Sequence, residues 1–209
     1  MLTEAHKKWN KDDGDNTHIL DYPLTENSIV LELGGYEGLW TENIVRRYNC
    51  RVVAVEPIPS FYNRMVSRLT TSIPNYEEKI SVENIAISTE PKVIKLYASG
   101  DASTAYSSFG VEYDVQCITL EALLEKYNIG RVDLIQVNIE GEEYPLFEKW
   151  IQSDILKRFR FVQVQFHSFI ENCTERRNLI QQGLTSLGFK LRYEYEFIWE
   201  CWENKNYDK

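Results

Sequence analysis

Cysteine is sparse in this sequence. The four residues Cys50, Cys117, Cys173 and Cys201 include no CxxC pair. That spacing gives a zinc site no support, and isolated thiols predict buried cysteines in a reducing compartment. No apolar run reaches the ~18 residues needed for a membrane-spanning helix. Met1 to Asp15 carries lysines and aspartates where a leader would have an apolar core, so no signal peptide is expected and the chain reads as cytoplasmic. Basic charge is also short: 23 Lys and Arg face 32 Asp and Glu, for a net charge of −9. Nucleic-acid binders usually carry a basic face and anionic membranes attract one, so this balance argues against both partners. What is present is globular. Hydrophobic residues make up 43% and charged residues 26% of 209 positions, enough for one domain with a full core.

Residues 1–28 are polar and read as an arm, with 29–209 as one domain. Ile29 to Leu33 and Arg51 to Val55 are short apolar runs, hence buried strands. Between them Leu39 to Tyr48 has helical periodicity, and Phe61, Met65 and Leu69 continue it after the second strand. Further strands are expected over Ile80 to Ile85 and Val93 to Tyr97, with a flexible loop from Ser99 to Ser108. Thr119 caps a helix bearing Leu120, Leu123, Leu124 and Tyr127. Val132 to Asn138 and Phe161 to Phe166 read as strands, and the helix between them has Pro145 in its first turn. Asn172 with Glu175 resembles a capping box, and Gly188 suits a helix C′ position. From Leu191 to Cys201 the odd positions are apolar and the even ones include Arg192, Glu194, Glu196 and Glu200, which predicts a strand with one wet face. Alternating strands and helices imply an α/β fold with a mainly parallel sheet.

The first strand ends in Glu32-Leu33-Gly34-Gly35-Tyr36-Glu37-Gly38. The glycines permit a sharp turn and close approach to a ligand, but the spacing is neither GxGxxG nor GxxxxGK[ST]. The second strand ends in Glu56-Pro57, and Glu56 stands about 20 residues beyond the glycines, where an acid can accept both hydroxyls of a ribose. The pair predicts a nucleoside site. Later strand tips are polar: Gln136 with Asn138, and Gln163 with Gln165 and His167. Gln136 and Gln163 read as a self-satisfied amide pair, Asn138 and His167 as site residues at the tips.

These residues resemble the FkbM-type, S-adenosylmethionine-dependent methyltransferases over about Ile29 to Trp202. The resemblance rests on VLELGGYEG, on VEP at 55–57, on Asn84-Ile85-Ala86-Ile87-Ser88, on Asn138-Ile139-Glu140-Gly141-Glu142-Glu143 and on Gln165-Phe166-His167. It implies a Rossmann-like, class I methyltransferase sandwich with a seven-stranded, mainly parallel sheet and an antiparallel last strand. It also implies methyl transfer to a hydroxyl, on a sugar, a glycan or a small natural product. Cofactor contacts are expected at Glu32, Gly34, Gly35, Tyr36, Gly38, Glu56, Pro57, Asn84, Ala86 and Asn138. For the chemistry, His167 is expected as a neutral general base with Glu140 as its rival, beside Asn138. No metal is expected, though Glu140, Glu143, Asn138 and His167 offer ligands that would suit Mg²⁺. A nicotinamide-dependent oxidoreductase and a non-catalytic nucleoside-binding protein are the competing readings. The oligomeric state is open.

Overall fold

The computed structural model describes residues 2–99, 102–104 and 110–207. Its elements, in chain order, are α1 (Glu4–Lys11), β1 (Ile29–Leu33), α2 (Leu39–Tyr48), β2 (Arg51–Val55), α3 (Pro59–Ser72), α4 (Tyr76–Lys79), β3 (Ile80–Glu83), β4 (Ala86–Ile87), β5 (Lys92–Ser99), β6 (Ala102–Thr104), β7 (Val111–Ile118), α5 (Leu120–Lys126), β8 (Val132–Val137), α6 (Glu143–Ile151), β9 (Phe159–Val164), α7 (Cys173–Ser186), β10 (Phe189–Tyr195) and β11 (Trp199–Asn204). Seven strands form the main sheet in the order β10-β11-β9-β8-β1-β2-β3. β1 lies parallel to β2 and β8, whereas β11 is antiparallel to both its neighbours.

Strand parity sorts the side chains into two helical layers. Leu31 and Leu33 join Leu123, Phe147, Trp150 and Leu184 on the face covered by α5, α6 and α7. Val30 joins Ile44, Met65 and Leu69 on the face covered by α2 and α3. Glu32, Gln136 and Gln163 stand side by side in register across β1, β8 and β9, on this second face. The same face receives the arm. Leu20, Tyr22 and Leu24 are buried in its core. Trp40 Nε1 donates to the carbonyl of Ile19 at 2.9 Å, and the Tyr48 hydroxyl donates to that of Leu20 at 2.8 Å. Trp9 of α1 packs with Tyr195, Ile198 and Trp199.

Several expectations change. The alternating stretch from Leu191 to Cys201 is two strands of a hairpin, broken after Tyr195 and turned at Phe197, whose φ is +55°. Leu191 is exposed, at a register shift that separates it from Tyr193. Glu200, expected on the wet face, is buried because Arg177 Nη2 reaches it at 2.8 Å and Gln181 Nε2 at 2.7 Å. A buried carboxylate persists only with such partners. Asn172 does begin α7, but in the left-handed region (φ +55°) and without a side-chain cap. Within the stretch expected as a loop, Ser99 ends β5 and Ala102–Thr104 is a strand paired with it; the rest lies outside the described residues. β4, β7, β5 and β6 make a second, four-stranded sheet. Cys50, Cys117 and Cys201 are buried thiols, and Cys173 is partly exposed.

Candidate active site

The turn after β1 is built so that backbone meets backbone. Gly34 has φ +88°, and its N–H donates to the Val55 carbonyl at 2.9 Å, as does that of Gly35 at 3.1 Å. A Cβ on Gly34 would lie 1.9 Å from the carbonyl oxygen of Asn138. Gly38, at φ +80°, opens α2. Glu56 holds this turn from below. Its Oε2 accepts the Tyr36 N–H at 2.8 Å and its Oε1 accepts that of Ile58 at 2.9 Å. Burial lifts its pKa to about 7, against the pull of those two N–H groups. Asn84 Nδ2 secures the same corner, donating to the carbonyls of Glu56 and Pro57 at 2.9 Å. Ala86 packs behind it, against the cluster of Ile58, Phe61 and Leu96.

Above the tips of β1 and β8 is a cavity of about 460 Å³. Of the sequence-derived residues, Glu32, Gly34, Gly35, Tyr36 and Asn138 line it, whereas Glu56 braces the turn beside it. Glu32 is 1% exposed and accepts a hydrogen bond from the Thr41 hydroxyl; burial, with a smaller push from the Glu56 charge, raises its pKa to about 8 despite that bond. Asn138 Oδ1 is buried and has no hydrogen-bond partner among the described residues. Such an atom is costly unless something else supplies the bond.

Sequence reasoning missed part of this wall. Asp15, Asn16, Ile19 and Leu20 of the arm line the cavity, together with Asn43 and Trp199. The available signal was Ile19-Leu20, an apolar pair in a polar segment. Trp199 was hidden inside an alternating run that accounted for it as core. Gln136 was assigned to an internal amide pair. It does bond Gln163, at 2.9 Å, but it also lines the cavity.

His167 stands between two carboxylates. Its Nδ1 lies 2.9 Å from Glu143 Oε1 and its Nε2 3.3 Å from Glu140 Oε1, while its backbone N–H donates to Glu143 Oε1 at 2.8 Å. Burial favours the neutral ring, but the two carboxylates outweigh it and lift the pKa to about 9. The two carboxylates thus favour the charged ring near neutral pH, and His167 clasps the end of β9 to the entry of α6. Glu143, whose side chain is fully buried, also accepts the Gly141 N–H at 2.8 Å, which shapes the entry to α6. Of the four residues offered for Mg²⁺, Glu140, Glu143 and His167 are drawn into this clasp, and Asn138 lines the cavity instead. Among the described residues, no three His, Cys, Asp or Glu side chains converge as a metal site.

Comparison with known proteins bears on both fold and partners. A Clostridium thermocellum protein described as an rRNA methylase superposes with a TM-score of 0.58 at 11% identity, over 97% of each chain. An rRNA methylase from Streptococcus thermophilus gives 0.52 at 11% identity, over 98% of each. TrmK of M. capricolum, solved with S-adenosylhomocysteine, gives 0.54 at 8% identity, over 92% of this chain and 69% of that one. These likenesses establish the class I methyltransferase fold. They also overturn the exclusion of nucleic acid: two of the three are rRNA methylases by description, so the net charge of −9 does not remove nucleic acid from the acceptors. A whole-chain sum does not say how charge is spread over one face. Among the described residues, no helix is long and apolar enough to cross a membrane. No curated protein matches the sequence. The family profile described as Methyltransferase FkbM domain matches residues 32–191, and the chain belongs to that family of S-adenosylmethionine-dependent methyltransferases.

Proposed function

We propose that this methyltransferase acts on a hydroxyl of a polyhydroxylated acceptor, a sugar, glycan or small natural product. The supporting observation is the lining of the cavity. Beside the residues assigned to the cofactor it carries the amides of Asn16, Asn43 and Gln165 and the rings of Trp40 and Trp199, and it includes no lysine or arginine among the described residues. Amides that both donate and accept, set beside aromatic faces, suit neutral hydroxylated molecules.

The residues present fit the cofactor. Gly34 and Gly35 present bare backbone to the cavity, and the buried Asn138 Oδ1 has no partner among the described residues. The residues assigned to hold it are Glu32, Gly34, Gly35, Tyr36, Gly38, Glu56, Pro57, Asn84, Ala86 and Asn138. Each Glu56 oxygen accepts one backbone N–H and keeps lone-pair capacity for a ribose hydroxyl. When bound, S-adenosylmethionine supplies an activated methyl group on a sulfonium. The protein's own task is then to align the acceptor oxygen and exclude water. The proton of the hydroxyl is assigned to Asp15, whose carboxylate lines the cavity and accepts the Trp9 indole N–H at 3.1 Å; Glu32 is tied to Thr41, and His167 does not line the cavity. Glu140 stays with His167 as part of the clasp. Asp15→Asn is expected to lower kcat about 100-fold, with the dissociation constant for S-adenosylmethionine unchanged in calorimetry.

A second reading, methylation of RNA, is favoured by the rRNA methylases of similar fold. One experiment separates the two. Radiolabelled cofactor is offered with sugar nucleotides, surface glycans and rRNA fragments. Label transferred to RNA alone would replace the first reading with the second.

A further inference from the structure

A line of hydrogen bonds joins the arm to the cavity. Gln136 and Gln163 are register partners on β8 and β9, so their side chains leave the sheet on one face. Gln163 Nε2 donates to Gln136 Oε1 at 2.9 Å. Gln163 Oε1 accepts from the hydroxyl of Tyr22 and, at 3.2 Å, from that of Tyr193. Two phenolic donors on one oxygen fix which way the Gln163 amide is turned. The carbonyl end of Gln136 is thereby occupied. Its Nε2 makes no hydrogen bond with the described residues, and the residue lines the cavity. Two positions further on, Asn138 offers the opposite polarity, an unpartnered Oδ1. A donor and an acceptor on one strand tip match a group that carries both a carboxylate and an ammonium, which is the amino-acid end of the methyl donor.

We propose that Tyr22 and Gln163 are positioning residues for the cofactor, holding the Gln136 N–H groups toward the cavity, where they donate to the carboxylate of the cofactor's methionine tail. This rests on the reading that the cofactor occupies the cavity. The arm therefore sets the polarity of the binding site from behind, without touching the ligand through Tyr22.

The test compares two ligands by calorimetry. S-adenosylhomocysteine carries the amino-acid end, and 5′-methylthioadenosine keeps the nucleoside and thioether but lacks it. Gln136→Met and Gln163→Met are expected to weaken S-adenosylhomocysteine about tenfold, the worth of one hydrogen bond to a charged group. Binding of 5′-methylthioadenosine should stay within about twofold of wild type, since nothing in the relay faces the nucleoside. Tyr22→Phe should give about a threefold loss, because Tyr193 still holds Gln163. A purely structural role would weaken both ligands together, and that result, or an unchanged ratio of the two affinities in all three variants, overturns the proposal. Wild-type protein that binds neither ligand would instead remove the cofactor from the cavity, and the relay's role with it.

Discussion

Gly34→Ala is expected to abolish measurable binding of S-adenosylmethionine in calorimetry. The added methyl carbon would sit 1.9 Å from the carbonyl oxygen of Asn138, a backbone atom that cannot swing aside. The residue would also have to hold φ +88°, a conformation that costs a non-glycine residue about 1–2 kcal/mol. Both effects displace the tips of β1 and β8 together, because the Asn138 N–H is hydrogen-bonded to the Leu33 carbonyl at 3.0 Å. Gly130→Ala is the matched control. A Cβ there meets nothing within 4 Å, and its melting temperature and affinity should equal those of wild type. Wild-type affinity in Gly34→Ala would show that the turn does not cradle the cofactor.

Stability should fall as pH rises from about 5 to about 9.5. His167 has its pKa raised to about 9, Glu32 to about 8 and Glu56 to about 7, all above the values these groups hold in an unfolded chain. A group of this kind binds its proton more tightly in the folded state. Its contribution is complete below the unfolded pKa and is lost as pH climbs through the folded one. For His167 the window runs from about 6.5 to about 9, and the shift corresponds to about 3 kcal/mol. In a protein of this size that amounts to roughly 8 °C in melting temperature. His167→Gln should therefore melt well below wild type at pH 6 and close to it at pH 9.5. A constant gap between the two proteins across this range would show that the clasp is not ionic.

The parts of the fold legible in the sequence were those fixed by local pattern. Ile29–Leu33 and Arg51–Val55 are apolar because both faces of a central parallel strand are covered, and the glycine turn and Glu56 follow from them. Family motifs supplied the seven-stranded, mainly parallel sheet with its antiparallel last strand, and the cofactor. What stayed hidden depended on distant partners. The alternation from Leu191 to Cys201 conceals a hairpin, because two antiparallel strands each keep a period of two. The burial of Glu200 depends on Arg177, 23 residues earlier. The protonation of His167 depends on Glu140 and Glu143, which come from another strand tip. Net charge misled about partners because it is a sum over the whole surface. The arm looked like a polar lead-in, since its docking residues Ile19, Leu20 and Tyr22 gain meaning only against a sheet the arm itself does not contain.

The arm's anchorage also makes one corner of the fold depend on contacts distant along the chain. Tyr22 reaches Gln163, Tyr193 and Cys201, and Tyr195 bonds Asp12 and His18. These bonds join positions 141 to 183 residues apart, so the arm finds its berth only once the β10–β11 hairpin is in place. A folding intermediate without that hairpin would lack both the arm's anchorage and Trp199 in the cavity wall.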